Sequence, residues 1–432
     1  MVTRKTCNAQ GPAPRRARWW AAVVLAALGS APAWAGEEAA LATLEGALTY
    51  AAAHHPGLAA ARAERDAAEA RIIPAGTLPD PMLGLAARSV EREVGIALSQ
   101  TFPLAGKRQL KAAAAREEAR AAENMLHARW LEVAAEVVSA FSEFAFLARA
   151  RALTEENLAL LKQLEEVARA RYRTAQAPYA DVVRAQVELG RVEDELRSLT
   201  EGESAAAGRL NAALGRSVGA PLPPLAGLPE VVQELAAEEV EAAVSAANPE
   251  LAALAHQVAA AQQELEVAQR IRVPDLTVGV EVMRSGAMRR TGVGVMAGIN
   301  LPIWRDCCRA EVREAAARVE ASAARRAERE LALLSQARLA LYRFRDATRR
   351  GELYAGRLIP QSQQALAAMV TAYRAGEATF ADLVETSRMA LEFQLARERA
   401  RVEQLQQLAE LERLTGRRWW PQRRGEERDD RP

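Results

Sequence analysis

Apolar positions along this chain follow two periods, and the switch between them happens twice. Leu44, Leu48 and Ala51 form one helical stripe, and Leu58, Ala61, Ala68 and Ile72 form a second after Pro56. From about 81 to 102 the period falls to two. Leu83, Leu85 and Ala87 share one face. Val94, Ile96, Leu98 and Phe102 share a face of the next segment, opposite Gly95, Ala97, Ser99 and Thr101. The charged Arg88, Glu91, Arg92 and Glu93 lie between, which predicts a β-hairpin. A second hairpin is predicted over about 275–301. There Leu276, Val278, Val280 and Val282 alternate with Thr277, Gly279 and Glu281, and Val293, Val295, Ala297, Ile299 and Leu301 alternate with Gly294, Met296, Gly298 and Asn300. Each strand is about 9–10 residues, the length a tilted strand needs to cross a bilayer.

After each hairpin the helical period returns and persists, from about Gly106 to Ala175 and from about Arg309 to Ala375. At about 1.5 Å per residue each rod reaches about 100 Å. Val137, Phe141, Phe144 and Ala148 carry a coiled-coil spacing. Leu189, Val192, Leu196 and Leu199 carry it on the first return helix, and Leu391, Leu395, Val402 and Leu405 on the second. Gly376 breaks the second rod, Thr379 can cap the helix that follows, and Asp382 suits the capping-box position.

The chain repeats itself. Tyr172, Arg173, Ala177, Ala180, Asp181 and Val183 recur at one offset as Tyr373, Arg374, Ala378, Ala381, Asp382 and Val384, and Leu210 and Gly215 recur at that offset as Leu411 and Gly416. Pro56, Pro79 and Pro103 match Pro249, Pro274 and Pro302 at smaller offsets, so the second copy carries short insertions. The expected organisation is a first repeat over 36–226, a linker over 227–235 and a second repeat over 236–416. Residues 417–432 read as a disordered charged tail.

Composition agrees with long helices: the 432 residues are 50% hydrophobic, 26% charged and only 5% aromatic. The fold class is mainly α with a small β part. A net charge of +1 gives no reason to expect nucleic acid as a partner. Residues 1–35 read as a signal peptide, with Arg15, Arg16 and Arg18 before the apolar run Trp19 to Leu28 and a cleavage site at Ala33-Trp34-Ala35. No later stretch is long and apolar enough to span a bilayer as a helix. His54 and His55 have no third ligand nearby and read as a polar helix end; His127 and His256 receive no role. Cys307 and Cys308 could bind a soft metal, but no further Cys or nearby His completes a set. The spacing of Gly292, Gly294 and Gly298 is wrong for a dinucleotide loop. No nucleophile–base pair, phosphate loop or metal-ligand spacing is present. No catalytic residue, metal site or cofactor is assigned, and an enzyme is not expected.

Two halves, each with helix, hairpin, long helix, turn and return helix, resemble the TolC-type outer-membrane efflux proteins, the outer membrane factors. The residues that carry the resemblance are His55-Pro56 and Asn248-Pro249, Gln100 to Arg108 with Phe102, Pro103, Gly106 and Lys107, Leu301-Pro302-Ile303-Trp304, Leu210-Asn211 with Gly215, and the turns Tyr172–Asp181 and Tyr373–Glu385. It covers about 41–416. Physics asks for an oligomer independently, because four strands do not close a barrel and open edges are not tolerated in lipid. The resemblance implies a homotrimer with a 12-strand β-barrel in outer-membrane lipid on a 12-helix α-barrel in the periplasm. It further implies a passive exit duct fed by a periplasmic adaptor (membrane fusion) protein and an inner-membrane efflux pump of RND type. Leu78-Pro79-Asp80-Pro81, and Pro103 followed by Gly106-Lys107-Arg108, resemble the heavy-metal branch, whose cargo is metal cations. The alternative is a secreted periplasmic coiled-coil adaptor or scaffold, which explains the heptads but neither the two-sided hairpins nor the duplication.

By the same resemblance Asp382 and Glu385 line the pore constriction, and Tyr172, Asp181, Arg184, Tyr373, Arg374 and Gly376 support the turns and the gate. Asp382 has a second reading, since an acidic residue at N3 stabilises a helix start without any pore. The family places an arginine where this chain has Ala378, so a salt-bridge latch must use Arg374 or Arg184, or be missing.

Overall fold

The computed structural model describes residues 41–419 except 89–92, 232–233 and 286–289. The expected signal peptide and both hairpin tips lie outside the described residues.

The chain enters as α1 (Leu44–His54), capped by Thr43, whose hydroxyl oxygen accepts from the Gly46 N–H at 3.2 Å. His55 ends α1 and caps α2 (Pro56–Ala70): its Nδ1 accepts from the Gly57 N–H at 3.1 Å, and Pro56 sits at the first helical position, where no donor is needed. After the short α3 (Ile72–Gly76) come β1 (Met82–Arg88) and β2 (Glu93–Phe102). The 67-residue α4 (Lys107–Arg173) then spans about 100 Å, and α5 (Tyr179–Ala213) returns beside it. The second repeat follows the same order: α6 (Ala237–Ala247), α7 (Pro249–Gln269), β3 (Leu276–Ser285), β4 (Arg290–Ile299), α8 (Arg305–Leu353), α9 (Ile359–Ala375) and α10 (Phe380–Thr415).

The two hairpins join into one antiparallel sheet of order β1-β2-β3-β4. Its register puts Leu83, Leu98, Val280 and Val295 in one row, and Leu85, Ile96, Val282 and Val293 in the next. That face is apolar from edge to edge and exposed, reaching 81% at Leu85 and 79% at Val295. The other face carries Ala97, Glu281 and Gly294 in one row, and Ser99, Gly279 and Met296 in another. Among the described residues β1 and β4 each have one edge without a strand partner.

Lys107 fixes the sheet to the rods. Its Nζ donates to the Val273 carbonyl at 2.6 Å and to Asp275 Oδ1 at 2.9 Å, tying the start of α4 to the segment that enters β3. The motif residue Gly106 takes φ 71 immediately before it. The main core lies about halfway along the rods, where Val137, Phe141, Leu333, Phe344, Leu405 and Leu411 meet between the rods and α1 and α6.

Two expectations need correction. The second rod is not one continuous α-helix: it starts at Arg305 and opens into a π-turn over Tyr354–Leu358. Pro360 lacks an N–H, and its ring crowds the carbonyl four residues before it, so the helix widens there. The tail does not begin at 417 either. Trp419 is buried, donates its backbone N–H to Glu412 at 2.6 Å and its indole N–H to Thr415 at 2.8 Å, and Arg417 pairs with Glu239 at 2.8 Å. Residues 420–432 lie outside the described residues. The proline-rich link between repeats is strapped to the rods, with Arg401 donating to the Leu228 carbonyl at 2.9 Å and Arg345 to the Leu235 carbonyl at 2.6 Å.

The repeated glycines have a steric cause. Gly416 ends α10 at φ 67, and a Cβ there would stand 2.3 Å from the Ala247 carbonyl oxygen and 2.9 Å from Pro249 Cδ. Gly215 meets Pro56 Cδ in the same way at 2.7 Å. Each return helix therefore ends against the Xaa-Pro elbow of its own repeat. We expect Gly416→Ala to destabilise the protein by more than about 1 kcal/mol, because it combines a left-handed backbone with a backbone clash. Gly190→Ala, in the open interior of α5, should instead gain about 0.5–1 kcal/mol. Thermal melts followed by helical circular dichroism in detergent test the ordering; a Gly416→Ala protein as stable as the wild type would refute the elbow.

Candidate functional site

Both reversals lie at the end of the rods remote from the sheet. At the first, Ala175 takes φ 59 and the Gln176 N–H reaches the Arg171 carbonyl at 2.8 Å. At the second, Gly376 takes φ 88 and the Glu377 N–H reaches the Ala372 carbonyl at 2.9 Å. The repeat places an aromatic pair over each turn. Tyr172 and Tyr179 have centroids 5.4 Å apart, and Tyr373 and Phe380 5.6 Å apart. Their surroundings differ: Tyr373 is 1% exposed among Leu164, Ala168, Val182 and Leu383, whereas Tyr172 is 47% exposed.

Asp382 and Glu385 are both exposed near the start of α10. The Thr379 hydroxyl accepts from the Asp382 N–H at 3.2 Å and donates to the Asp382 carboxylate at 2.6 Å, so the capping position expected for Asp382 is occupied as such. Three residues apart, the two carboxylates share one side of the helix. Asp181 is buried under the first turn, and burial together with Asp181 pushes the Tyr373 phenol up from its ordinary pKa. The Tyr373 hydroxyl is buried with no hydrogen-bond partner among the described residues.

The expected latch arginines do not bridge the turns. Arg184 reaches Asp181 at 3.8 Å within its own helix, and Arg374 is exposed. Two other groups make the connection. Arg171 donates to the Tyr373 carbonyl and, at 3.2 Å, to the Gln176 carbonyl, while its guanidinium lies 4.9 Å from the centre of the Tyr373 ring. Gly376 leaves room for it, since a Cβ there would stand 3.1 Å from Arg171 Nη2. One helical turn and more along the rods, Glu188 of α5 is 3% exposed and receives both Arg388 of α10, with Nε at 3.0 Å, and Arg191, with Nη2 at 3.0 Å. The Arg388 hydrogen bond, ahead of Arg191, holds the Glu188 carboxyl below the usual carboxylate range. Sequence reasoning missed all three residues. The available signals were a departure from the repeat, since Ala372 stands where Arg171 would recur, and a glutamate in the apolar series Val182, Ala185, Glu188, Val192.

The other singled-out residues lie elsewhere. Cys307 is exposed beside Glu311 at 3.4 Å and Cys308 is buried at the start of α8. His256 Nδ1 lies 2.7 Å from Glu117, linking α7 to α4. No three His, Cys, Asp or Glu residues among the described ones converge on a possible metal position. No described helix is long and apolar enough to cross a membrane.

A comparison with curated protein sequences finds no match. Solved structures of similar fold include the outer-membrane channel OprN, with TM-score 0.74 and 19% identity over 86% of this chain and 89% of that one. VceC of Vibrio cholerae, an outer membrane protein, matches with TM-score 0.73 and 20% identity over 86% of this chain and 96% of its own. CusC, described in terms of transmembrane channel formation, matches with TM-score 0.73 and 14% identity over 86% and 91%. The sequence profile of the outer membrane efflux protein family matches residues 47–216 and 242–417, the two repeats in turn, and the chain belongs to that family.

Proposed function

We propose that this protein is the passive outer-membrane duct for heavy-metal cations, with Asp382 and Glu385 lining its constriction and an RND-type pump supplying the energy. Its family consists of outer-membrane exit channels of tripartite efflux systems, which work as trimers with a periplasmic adaptor and an inner-membrane pump. The observation that carries the reading is the sheet: an apolar face continuous across four strands, with two open edges, mounted on rods of about 100 Å. A periplasmic scaffold has no use for such a surface, while lipid covers the face and neighbouring copies cover the edges. The duct itself catalyses nothing. The cation cargo rests on the proline motifs before and after the first hairpin and on the exposed acidic pair at the tip.

The facing of the sheet is tested by arginine substitutions. Val280→Arg or Val295→Arg should block membrane assembly, since a lipid-facing arginine near the midplane costs about 2–4 kcal/mol per chain. Gly298→Arg, on the opposite face with open space around it, should assemble and lower conductance. Gly279 is unsuitable as the control, because a Cβ there would stand 2.9 Å from the Leu98 carbonyl oxygen. Equal assembly of all three variants, measured as trimer in detergent by light scattering, would reverse the facing.

The constriction is tested by Asp382→Ala with Glu385→Ala in a planar bilayer. A ring of carboxylates attracts cations and is bridged by multivalent ones. We expect larger openings, weaker cation selectivity and loss of block by trivalent cations added on the periplasmic side. Unchanged conductance, selectivity and block would leave both residues as helix-start residues only.

A further inference from the structure

We propose that the cleft between α7 and α8, just below the sheet, binds the phosphate headgroup of an anionic phospholipid in the periplasmic leaflet. This rests on the sheet lying in the outer membrane. The cleft has a volume of about 690 Å³. Gln269 and Arg272 line it from the end of α7 and its closing turn, and Asp306, Arg309, Val312 and Arg313 from the first turns of α8. Its charge is unbalanced: three guanidinium groups share one carboxylate, and Arg309 is already paired with that carboxylate. Arg272 and Arg313 are exposed, and their side chains make no ion pair or hydrogen bond among the described residues. Nearby arginines outside the cleft are paired, Arg270 with Glu266 at 3.3 Å and Arg318 with Glu314 at 2.6 Å. A guanidinium offers its donors as a planar fork that fits two phosphate oxygens. Arg272 and Arg313 come from different elements, so a phosphate between them is gripped from two sides.

The cleft faces outward. The strand order sets the rod order α4-α7-α8, because α4 follows β2, α7 precedes β3 and α8 follows β4. A second cleft, of about 400 Å³, is shared by Glu118 of α4, Glu264 of α7, and Arg318 and Arg325 of α8. In a ring of rods the first and third approach each other only on the concave side, so that cleft faces the lumen. Gln269 follows Glu264 by five residues, about 140° around the helix. The cleft it lines has no wall from α4 and opens on the convex side, the side of the lipid-facing sheet surface.

Its depth matches the headgroup layer. Trp304 is the N-cap of α8 and is 75% exposed, beside the exposed Leu301 and Ile303. An exposed tryptophan at the end of an apolar surface marks the boundary between hydrocarbon and headgroups. Arg309 lies about 7 Å and Arg313 about 13 Å further along the helix, against a headgroup layer about 5–8 Å thick. Helical side chains tilt toward the N-terminus, which here points at the membrane, so Arg313 reaches back into that layer. Val312 and the apolar residues above leave a path for the acyl chains. Ring closure takes place at the free edges of β1 and β4, while the α7–α8 seam is internal, so each chain carries a complete site. A headgroup with net negative charge fits this cluster better than a zwitterionic one, whose cation would sit among the arginines.

The experiment is native mass spectrometry of the full-length trimer released from nanodiscs of equal phosphatidylglycerol and phosphatidylcholine. The wild type should retain phosphatidylglycerol in preference, up to one per chain. Arg272→Gln/Arg313→Gln should lower that retention about tenfold or more, since charge-assisted hydrogen bonds are lost. Arg318→Gln/Arg325→Gln removes equal charge from the lumen cleft and should retain lipid as the wild type does. Arg272→Lys/Arg313→Lys keeps the charge without the fork and should give intermediate retention, which also covers a Gln variant that forms no trimer. No preference in the wild type, equal retention in both Gln variants, or wild-type retention in the Lys variant would overturn the site. Displacement of the lipid by excess inorganic phosphate would overturn the lipid as its occupant. Wild-type conductance is recorded alongside in planar bilayers: selective retention without conductance would leave the site standing and remove the duct.

Discussion

The structure depends on backbone groups at the two edges of a four-stranded sheet. In lipid no water satisfies an open N–H or C=O, so this sheet is stable only when its edges pair with other copies. That demand for closure accounts for features that look unrelated along the chain. The strands must be about as long as the bilayer is thick, their outer face must be apolar without a break, and the rods must continue them at a fixed angle. Lys107 meets the last condition: its ammonium, drawn onto the Val273 carbonyl and Asp275, joins the first repeat to the second where strand becomes helix. Arg270 supports the same junction from the second repeat by donating to the Ala105 carbonyl at 2.8 Å.

Duplication satisfies the closure cheaply in sequence terms, because one design of hairpin, rod and elbow serves twice. The elbows keep the copies alike. Gly215 against Pro56 and Gly416 against Pro249 are backbone-to-ring contacts that leave no space for a side chain, so these positions match across the repeat. The tips are where the copies diverge. Tyr373 and Phe380 are buried within the chain, while Tyr172 and Tyr179 remain exposed, although the four residues hold equivalent positions.

Periodicity made the architecture legible. The change from a period near four to a period of two located both hairpins, and the register Leu98–Val280–Val295 agrees with the face read from the alternation. The repeat offset marked both turns, and Thr379 caps α10 by accepting from the Asp382 N–H, as their spacing requires. Three kinds of feature were not legible. The π-turn at Tyr354–Leu358 answers to one proline whose effect is felt several residues upstream, within a pattern that otherwise reads as unbroken helix. Trp419 lay in a stretch so rich in charge that composition hid one anchoring side chain. The cross-helix contacts of Arg171 and Arg388 depend on which faces of two rods meet, and intrahelical spacing carries no information about that.

The inner face of the sheet bears on where selectivity resides. Its larger side chains lie over glycines of the adjacent strands: a Cβ on Gly95 would stand 3.0 Å from Met283 Sδ, one on Gly279 2.8 Å from Met296 Cγ, and one on Gly294 3.0 Å from Glu281 Cγ. Each glycine is directly paired with the residue that covers it, Gly95 with Met283, Gly279 with Met296 and Gly294 with Glu281. Side chains held flat in this way keep this face of the sheet low in relief. They also keep the methionine sulfurs packed on backbone, where they are poorly placed to converge on a passing ion. In the function proposed above, discrimination by charge falls to the far end of the rods, where Asp382 and Glu385 are exposed on one side of α10 and the segment that carries them is tied to α5 through a buried carboxylate.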